Sequence, residues 1–314
     1  MTKGFTPKNW QELLVTAAAI RLGLFEALDR GPATAADLAA QFGYDLRATE
    51  TLLLALTETG ELIKDNGRFG LTAQIRAVAV DRSNPLYAPN SILHSWNLME
   101  RWLTIPEVVK TGKQVERPYT QERRKVFIKS MDDASRGDGP LVVRKCLERH
   151  PSLRNVIDIG GGPGTYARLF AEHGVQVTIL DRPEVIDLMR DELGGTREIE
   201  LVAGDFTRWL PEQRYDLALM GNIFHIYGPG ENQELLFKVR NILNPGGVAA
   251  IVDIVRGYSS RAALFAITML VNTDTGGTWT QDQYDSWLHE AGFGNVVITN
   301  LEERDSQLIM AELL

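Results

Sequence analysis

"VIDIGGGPGTYA", Val156 to Ala167, decides the fold. A short apolar run leads straight into a loop with four glycines, and Tyr166 to Glu172 continues with helical character. Strand, glycine turn and helix form the opening half of a βαβ unit, the building block of a parallel sheet. Glycine tolerates positive φ and lets a ligand lie against the main chain without meeting a Cβ. A phosphate-cradling P-loop needs a lysine closing its glycine run, and none follows here.

Two ligand readings of the loop stay open on local sequence, beside a plain glycine turn. Gly162, Gly164 and Ala167 satisfy the dinucleotide spacing G-x-G-x-x-G/A. Asp158, Gly160, Gly162 and Gly164 satisfy D/E-x-G-x-G-x-G, the spacing of loops that hold S-adenosylmethionine (SAM). The residues downstream bear on the choice. "NVIDIG", "QVTILD", "IELVAG", "YDLALMG" and "GVAAIVDI" read as strands separated by helices. Such a series implies an α/β, doubly wound, Rossmann-like sheet with ligands at the carboxyl ends of its strands. After the last helix, "NVVITNL" and "SQLIMAEL" are two apolar runs close in sequence, which predicts an antiparallel C-terminal hairpin at one edge. That tail is unusual for a dinucleotide domain and usual for a SAM-dependent methyltransferase.

Several polar residues fall at the predicted strand ends. Asp181 closes "VTILD", where an acid accepts from a ribose diol or caps the helix that begins at Pro183. In "AGDF", Asp205 is a candidate acceptor for an adenine amine, and Phe206 offers an apolar wall to the base. His225 follows the fourth of these strands, and histidine is the natural general base near neutral pH. Asp253 closes the fifth, beside the strand before His225, where a carboxylate can orient an imidazole and stabilise its protonated form. The competing reading of each is structural: a core histidine, a turn-capping acid.

Toward the N-terminus the character changes. Residues 1–80 are helical with one small hairpin: "GPATAADLAAQFG" and "DLRATETLLLALTETG" are helices, and "ELIKDNGRFGLT" turns at Asn66-Gly67. Helix, turn, helix and hairpin describe a winged-helix domain. Residues 81–150 read as a helical connector, and residues 151–314 as the ligand-binding domain. Trp96, Met99, Trp102, Phe127 and Met131, with Met269 and Asn272 from "ALFAITMLVNT", are the candidate wall of an acceptor pocket or ordinary core.

Composition narrows the class. The balance of 44% hydrophobic and 24% charged residues is that of a soluble globular protein. No apolar run reaches membrane-span length, and "MTKGFTPKNW" is polar rather than signal-like, so no membrane partner is expected. The single cysteine, Cys146, suits a reducing cytoplasm, and the scattered histidines offer no metal-ligand spacing. Residues 151–314 carry 12 basic and 23 acidic side chains. That surface repels nucleic acid and suits a cationic cofactor. A DNA-reading winged helix needs a basic second helix, yet "DLRATETLLLALTETG" has one Arg against three acids.

Taken together, these stretches resemble the class I SAM-dependent methyltransferases. More narrowly, the chain is similar to the dimeric small-molecule O-methyltransferases that include plant caffeate and bacterial polyketide and phenazine enzymes. The likeness runs from "LGLFEALDRGPATAADLAAQFG" through "VIDIGGGPGTYA", "LDRPEV", "AGDF", "NIFHIY" and "LNPGGVAAIVDI" to "WTQDQYDSWLHEAGF". It implies methyl transfer from SAM to a hydroxyl of a small, aromatic acceptor by a homodimer joined through the N-terminal domain. It also implies that Asp158, Gly160, Gly162, Asp181, Asp205, Phe206 and Gly221 hold SAM, that His225 is the general base, and that Asp253 flanks it. Three departures touch the acid–base arrangement. Ile226-Tyr227 follow the base where the family has Asp-Trp, Gly221 stands where a lysine is common, and Thr278 or a neighbour replaces a second flanking acid. These departures leave room for C- or N-methylation, or for SAM chemistry without methyl transfer.

Overall fold

The structure is a computed structural model that describes residues 9–116, 120–302 and 305–314. Most of the polar opening stretch, residues 1–8, lies outside the described residues. The chain forms two compact units: Met1–Glu100 with Tyr119–Ala134, and Arg101–Pro118 with Ser135–Leu314.

The first unit opens with α1 (Trp10–Arg21), α2 (Leu24–Asp29), α3 (Ala35–Phe42) and α4 (Leu46–Thr59). A hairpin of β1 (Leu62–Asp65) and β2 (Arg68–Leu71) follows, then α5 (Ala73–Ala79). Local chemistry fixes these limits. Thr34 and Asp37 form a reciprocal capping box on α3, and Gly43 ends it in the left-handed conformation. Asn66 and Gly67 both take positive φ, which a two-residue hairpin turn requires. Leu24, Phe25, Leu38, Leu53, Leu56, Leu62, Phe69 and Ile75 make one buried cluster, so the wing packs onto the helices as expected. The helical run from residue 89 breaks into α6 (Pro89–Trp102) and α7 (Ile105–Thr111), because Pro106 has no N–H to continue the first helix. The long helix α8 (Gln121–Arg149) follows; α7 and the part of α8 from Ser135 onward belong to the second unit.

The second unit carries the predicted α/β sheet. Its elements are β3 (Asn155–Ile159), α9 (Thr165–Glu172), β4 (Gln176–Asp181), α10 (Pro183–Leu193), β5 (Ile199–Ala203), β6 (Tyr215–Gly221), a 3-10 turn (Phe224–Ile226) and α11 (Pro229–Ile242). These continue into β7 (Leu243–Asp253), α12 (Ala262–Asn272), α13 (Gln281–Glu290), β8 (Phe293–Leu301) and β9 (Ser306–Leu313). Seven strands lie in the order β5-β4-β3-β6-β7-β9-β8. β3 to β7 pair in parallel, and β9 pairs antiparallel with both β7 and β8. The terminal hairpin therefore inserts β9 beside β7 and leaves β8 at the edge. β3 is buried along four of its five residues, as a strand covered by helices on both faces must be. Strand order reverses at β3, whose neighbours are β4 and β6, and such a switch point opens a crevice at the carboxyl ends. Among the described residues no helix is long and apolar enough to cross a membrane.

Candidate active site

The loops after β3, β4, β5, β6 and β7 all leave the sheet at this one edge. The first is the glycine loop. Gly160 has φ +67°, and a Cβ there would stand 2.4 Å from Ile223 Cδ1, so a side chain must push Ile223 aside as well as accept a strained backbone. Gly162 also has positive φ, +50°, but a Cβ there would meet nothing closer than Gly160 O at 3.8 Å. Bare backbone thus serves the protein at Gly160 and faces open space at Gly162.

Asp181 ties this loop to the next strand. Its Oδ2 accepts from Gly162 N–H at 2.9 Å and its Oδ1 from Arg182 N–H at 2.7 Å. The N-cap of α10 is Arg182, so Asp181 is not the helix cap that its position before Pro183 allowed. Asp158 is buried behind the loop, and its Oδ2 has no hydrogen-bond partner among the described residues. Burial first, and the nearby Asp181 carboxylate second, push Asp158 up to about 7. Burial also raises Asp181, against the two backbone donors that lower it. Two buried acids within electrostatic reach of each other are relieved by a cation, which is the demand a sulfonium or ammonium meets.

Farther along the edge, Phe206 is buried and meets Tyr227 edge-on with ring centroids 5.8 Å apart. Asp205 accepts from Thr207 N–H at 3.0 Å and from Thr207 Oγ at 2.6 Å. The Thr207 hydroxyl holds Asp205 below its ordinary value, and the carboxylate is the pivot of its own turn. At Gly221, which ends β6, a Cβ would lie 3.0 Å from Cε2 of Tyr166, so a longer side chain there must displace that ring.

His225 sits in the 3-10 turn after β6, and Asp253 ends β7, the adjacent parallel strand. His225 Nδ1 and Asp253 Oδ1 are 2.6 Å apart, with both side chains buried. A carboxylate only accepts, so Nδ1 carries a proton, and in the neutral imidazole Nε2 is then the nitrogen with the lone pair. The turn is held from several sides. Asn222 enters it with φ +60°, Asn232 Nδ2 donates to Phe224 O and Tyr227 O, and Trp279 Nε1 donates to Phe224 O at 2.8 Å. Gly277 N–H donates to His225 O, and Phe265 meets the imidazole edge-on at 4.9 Å. Asp253 has further partners: Oδ1 also accepts from Ile254 N–H at 2.7 Å, and Oδ2 accepts from the Tyr284 hydroxyl at 3.0 Å. Sequence reasoning missed Tyr284, Trp279 and Asn232, and covered Phe265 only as part of the stretch "ALFAITMLVNT". Only Tyr284 left a trace, as a phenol on the same apolar helix face as Trp287 and Leu288.

The candidate pocket residues divide between the units. Trp96, Met99, Phe127 and Met131 belong to the first, and Trp102, Met269 and Asn272 to the second. Trp96 is half-buried against the cluster of Ala17, Val78 and Ile92, with the Arg21 guanidinium 4.9 Å from its ring. In the second unit Trp102 Nε1 donates to Thr268 Oγ1, Met269 is buried beside it on α12, and Asn272 Nδ2 donates back to Thr268 O.

Residues 108–294 match the family model of the O-methyltransferase domain, and residues 14–80 that of the O-methyltransferase dimerisation domain. The 3-hydroxy-5-methyl-1-naphthoate 3-O-methyltransferase of Streptomyces sahachiroi is 29% identical over 303 residues, covering 91% of this chain and 87% of that protein. The tetracenomycin polyketide synthesis 8-O-methyl transferase of Streptomyces glaucescens is 26% identical, covering 93% and 91%. The crystal structure of human N-acetylserotonin methyltransferase in complex with SAM matches with a TM-score of 0.82 at 22% identity, covering 96% of this chain and 94% of that one.

Proposed function

The chain belongs to the O-methyltransferase family, with its dimerisation domain, and from that premise we propose that His225 is the general base of a methyl transfer from SAM to a hydroxyl of a small aromatic molecule. The observation that carries this reading is the buried His225–Asp253 pair, 2.6 Å apart at the ends of neighbouring strands. SAM bound at the switch point supplies a methyl group already activated on a sulfonium. Gly160, Gly162, Asp181, Asp205, Phe206 and Gly221 would hold it, and the two buried acids Asp158 and Asp181 fit its positive charge. His225 Nε2 takes the acceptor's proton as the hydroxyl oxygen forms its bond to the methyl carbon and the sulfur–methyl bond breaks. Asp253 stabilises the imidazolium so formed. Much of the acceleration comes from alignment, because the donor needs no further activation. The Phe265 edge beside the imidazole supports a flat, aromatic acceptor, and the Streptomyces sahachiroi relative is named for a hydroxynaphthoate.

The partner we propose is a second copy, joined through the N-terminal unit. Trp10, Leu46, Leu54 and Ile63 are exposed apolar side chains there that support such a contact. The lone cysteine, buried and free, fits the reducing cytoplasm as the compartment.

The test is His225→Ala, assayed by S-adenosylhomocysteine formation on a panel of hydroxylated naphthoates and phenols. Loss of a general base lowers turnover by about 10²–10⁴-fold, while SAM affinity by calorimetry stays within about twofold. Unchanged turnover would dismiss the role of His225.

A further inference from the structure

The resemblance leads to the expectation of a second acid flanking the base near residue 278. Thr278 stands there instead, 1% exposed, and its hydroxyl faces Ala262 O on α12 at 3.4 Å. It makes no hydrogen bond to His225 or Asp253. The free oxygen of the single acid is instead met from another direction, by the phenol of Tyr284 on α13.

We propose that Tyr284 is a positioning residue for the base, its hydroxyl fixing Asp253 in place of a second flanking acid; the proposal rests on the reading of His225 as the base. The geometry is closed on every side. Asp253 is fully buried and accepts three hydrogen bonds, from His225 Nδ1 and Ile254 N–H at Oδ1 and from Tyr284 at Oδ2. With both oxygens engaged the carboxylate cannot swing about its Cβ–Cγ bond, so the imidazole it holds keeps one orientation. Tyr284 is itself immobile. It is fully buried, its ring packs against Phe224 at 5.7 Å and Trp287 at 5.5 Å, and a Thr280–Gln283 capping box starts its helix one turn earlier. Burial, and then the adjacent carboxylate, push the phenol well above its ordinary value, so it remains a donor at every working pH. The arrangement is a chain, phenol to carboxylate to imidazole, in which only the last group meets the acceptor.

Tyr284→Phe deletes the hydroxyl and keeps the ring. It leaves Oδ2 buried without a donor, so the coupled His225–Asp253 pair holds its proton to higher pH. The expected result is a rise of the acid limb of kcat/KM against pH by about half a unit or more, with kcat about tenfold lower. KM and SAM affinity stay near the parent values. The downfield proton resonance of His225 Nδ1–H should move as well, a readout independent of turnover. His225→Ala run in parallel separates the two ideas: if it stays active, the base reading fails. If it is inactive while Tyr284→Phe keeps the parent pH profile and resonance, the positioning role is overturned. A Tyr284→Phe protein that fails to fold assigns the hydroxyl to structure and also overturns it.

Discussion

Replacing Asp253 by Asn separates charge from geometry at the base. The side chain is fully buried and accepts three hydrogen bonds, so most substitutions would leave donors stranded. Asparagine is the exception, because its amide oxygen can keep the two donors at Oδ1, from His225 and Ile254. Its NH₂ can then face Tyr284, whose hydroxyl accepts as readily as it donates. The shape and the tautomer survive, and only the negative charge is lost. The imidazolium formed in the reaction then has no counter-charge. Nδ1 and Oδ1 are 2.6 Å apart, which puts the two charge centres about 4 Å apart. At an effective dielectric constant of about 20 that attraction is worth about 4 kcal/mol, or about a thousandfold in rate. The assay is kcat/KM by S-adenosylhomocysteine release across pH, with SAM binding measured by calorimetry. A fall of about three powers of ten at unchanged SAM affinity is expected. An Asp253→Asn enzyme within tenfold of the parent would refute the view that this carboxylate stabilises charge on His225.

Two further outcomes follow from the glycine loop. Gly160→Ala meets both a positive φ and Ile223, and should lower the unfolding free energy in urea by about 2–3 kcal/mol or more. Gly162→Ala meets only the backbone term, about 1 kcal/mol; equal losses would sink the packing account. Asp158 gives a pH dependence of defined sign. Its native value, about 7, lies above the ordinary 3.8, so the folded state holds a proton that the unfolded chain releases. Its contribution to stability is complete below about pH 4 and is lost as pH rises through 7. Asp158→Asn should flatten this slope between about pH 4 and 7 in urea titrations, and an unaltered slope would exclude the residue as its source.

The parts of this fold legible in the sequence are those written in local period and turn chemistry. β3 into Gly160–Gly164 into α9, the Asn66-Gly67 hairpin, and the β8–β9 tail each carry their signal within one short continuous stretch of chain. β7 was less legible at its start, since it begins at Leu243, ahead of Pro245 and the two glycines that read as a turn. The dyad was half legible: strand ends predicted that His225 and Asp253 are neighbours, because register carries that information. Tyr284 was not legible, because it reaches Asp253 across 31 positions through the packing of α13, and no local pattern encodes that. Asp181 shows the same limit. Its place before Pro183 suited a helix cap, but its Oδ2 was claimed by a backbone N–H 19 residues earlier.

The insertion of β9 between β7 and β8 divides the dyad into a fixed and an adjustable member. Asp253 rides on an interior strand, bonded to β6 on one side and to β9 on the other, where Asp253 pairs with Gln307. Val255, two residues on, is tied down as well, its N–H donating to the Gln307 side chain. His225 rides on a short turn tied by the side chains of Asn232 and Trp279 and by the Gly277 N–H. Opening the strand disrupts ladders on both sides, whereas the turn is secured bond by bond. Sequence change can therefore re-aim the imidazole toward a differently placed hydroxyl by altering residues 222–227 and the residues that anchor them. The acid that carries its charge stays where it is, so new acceptors can be reached without rebuilding the acid–base chemistry.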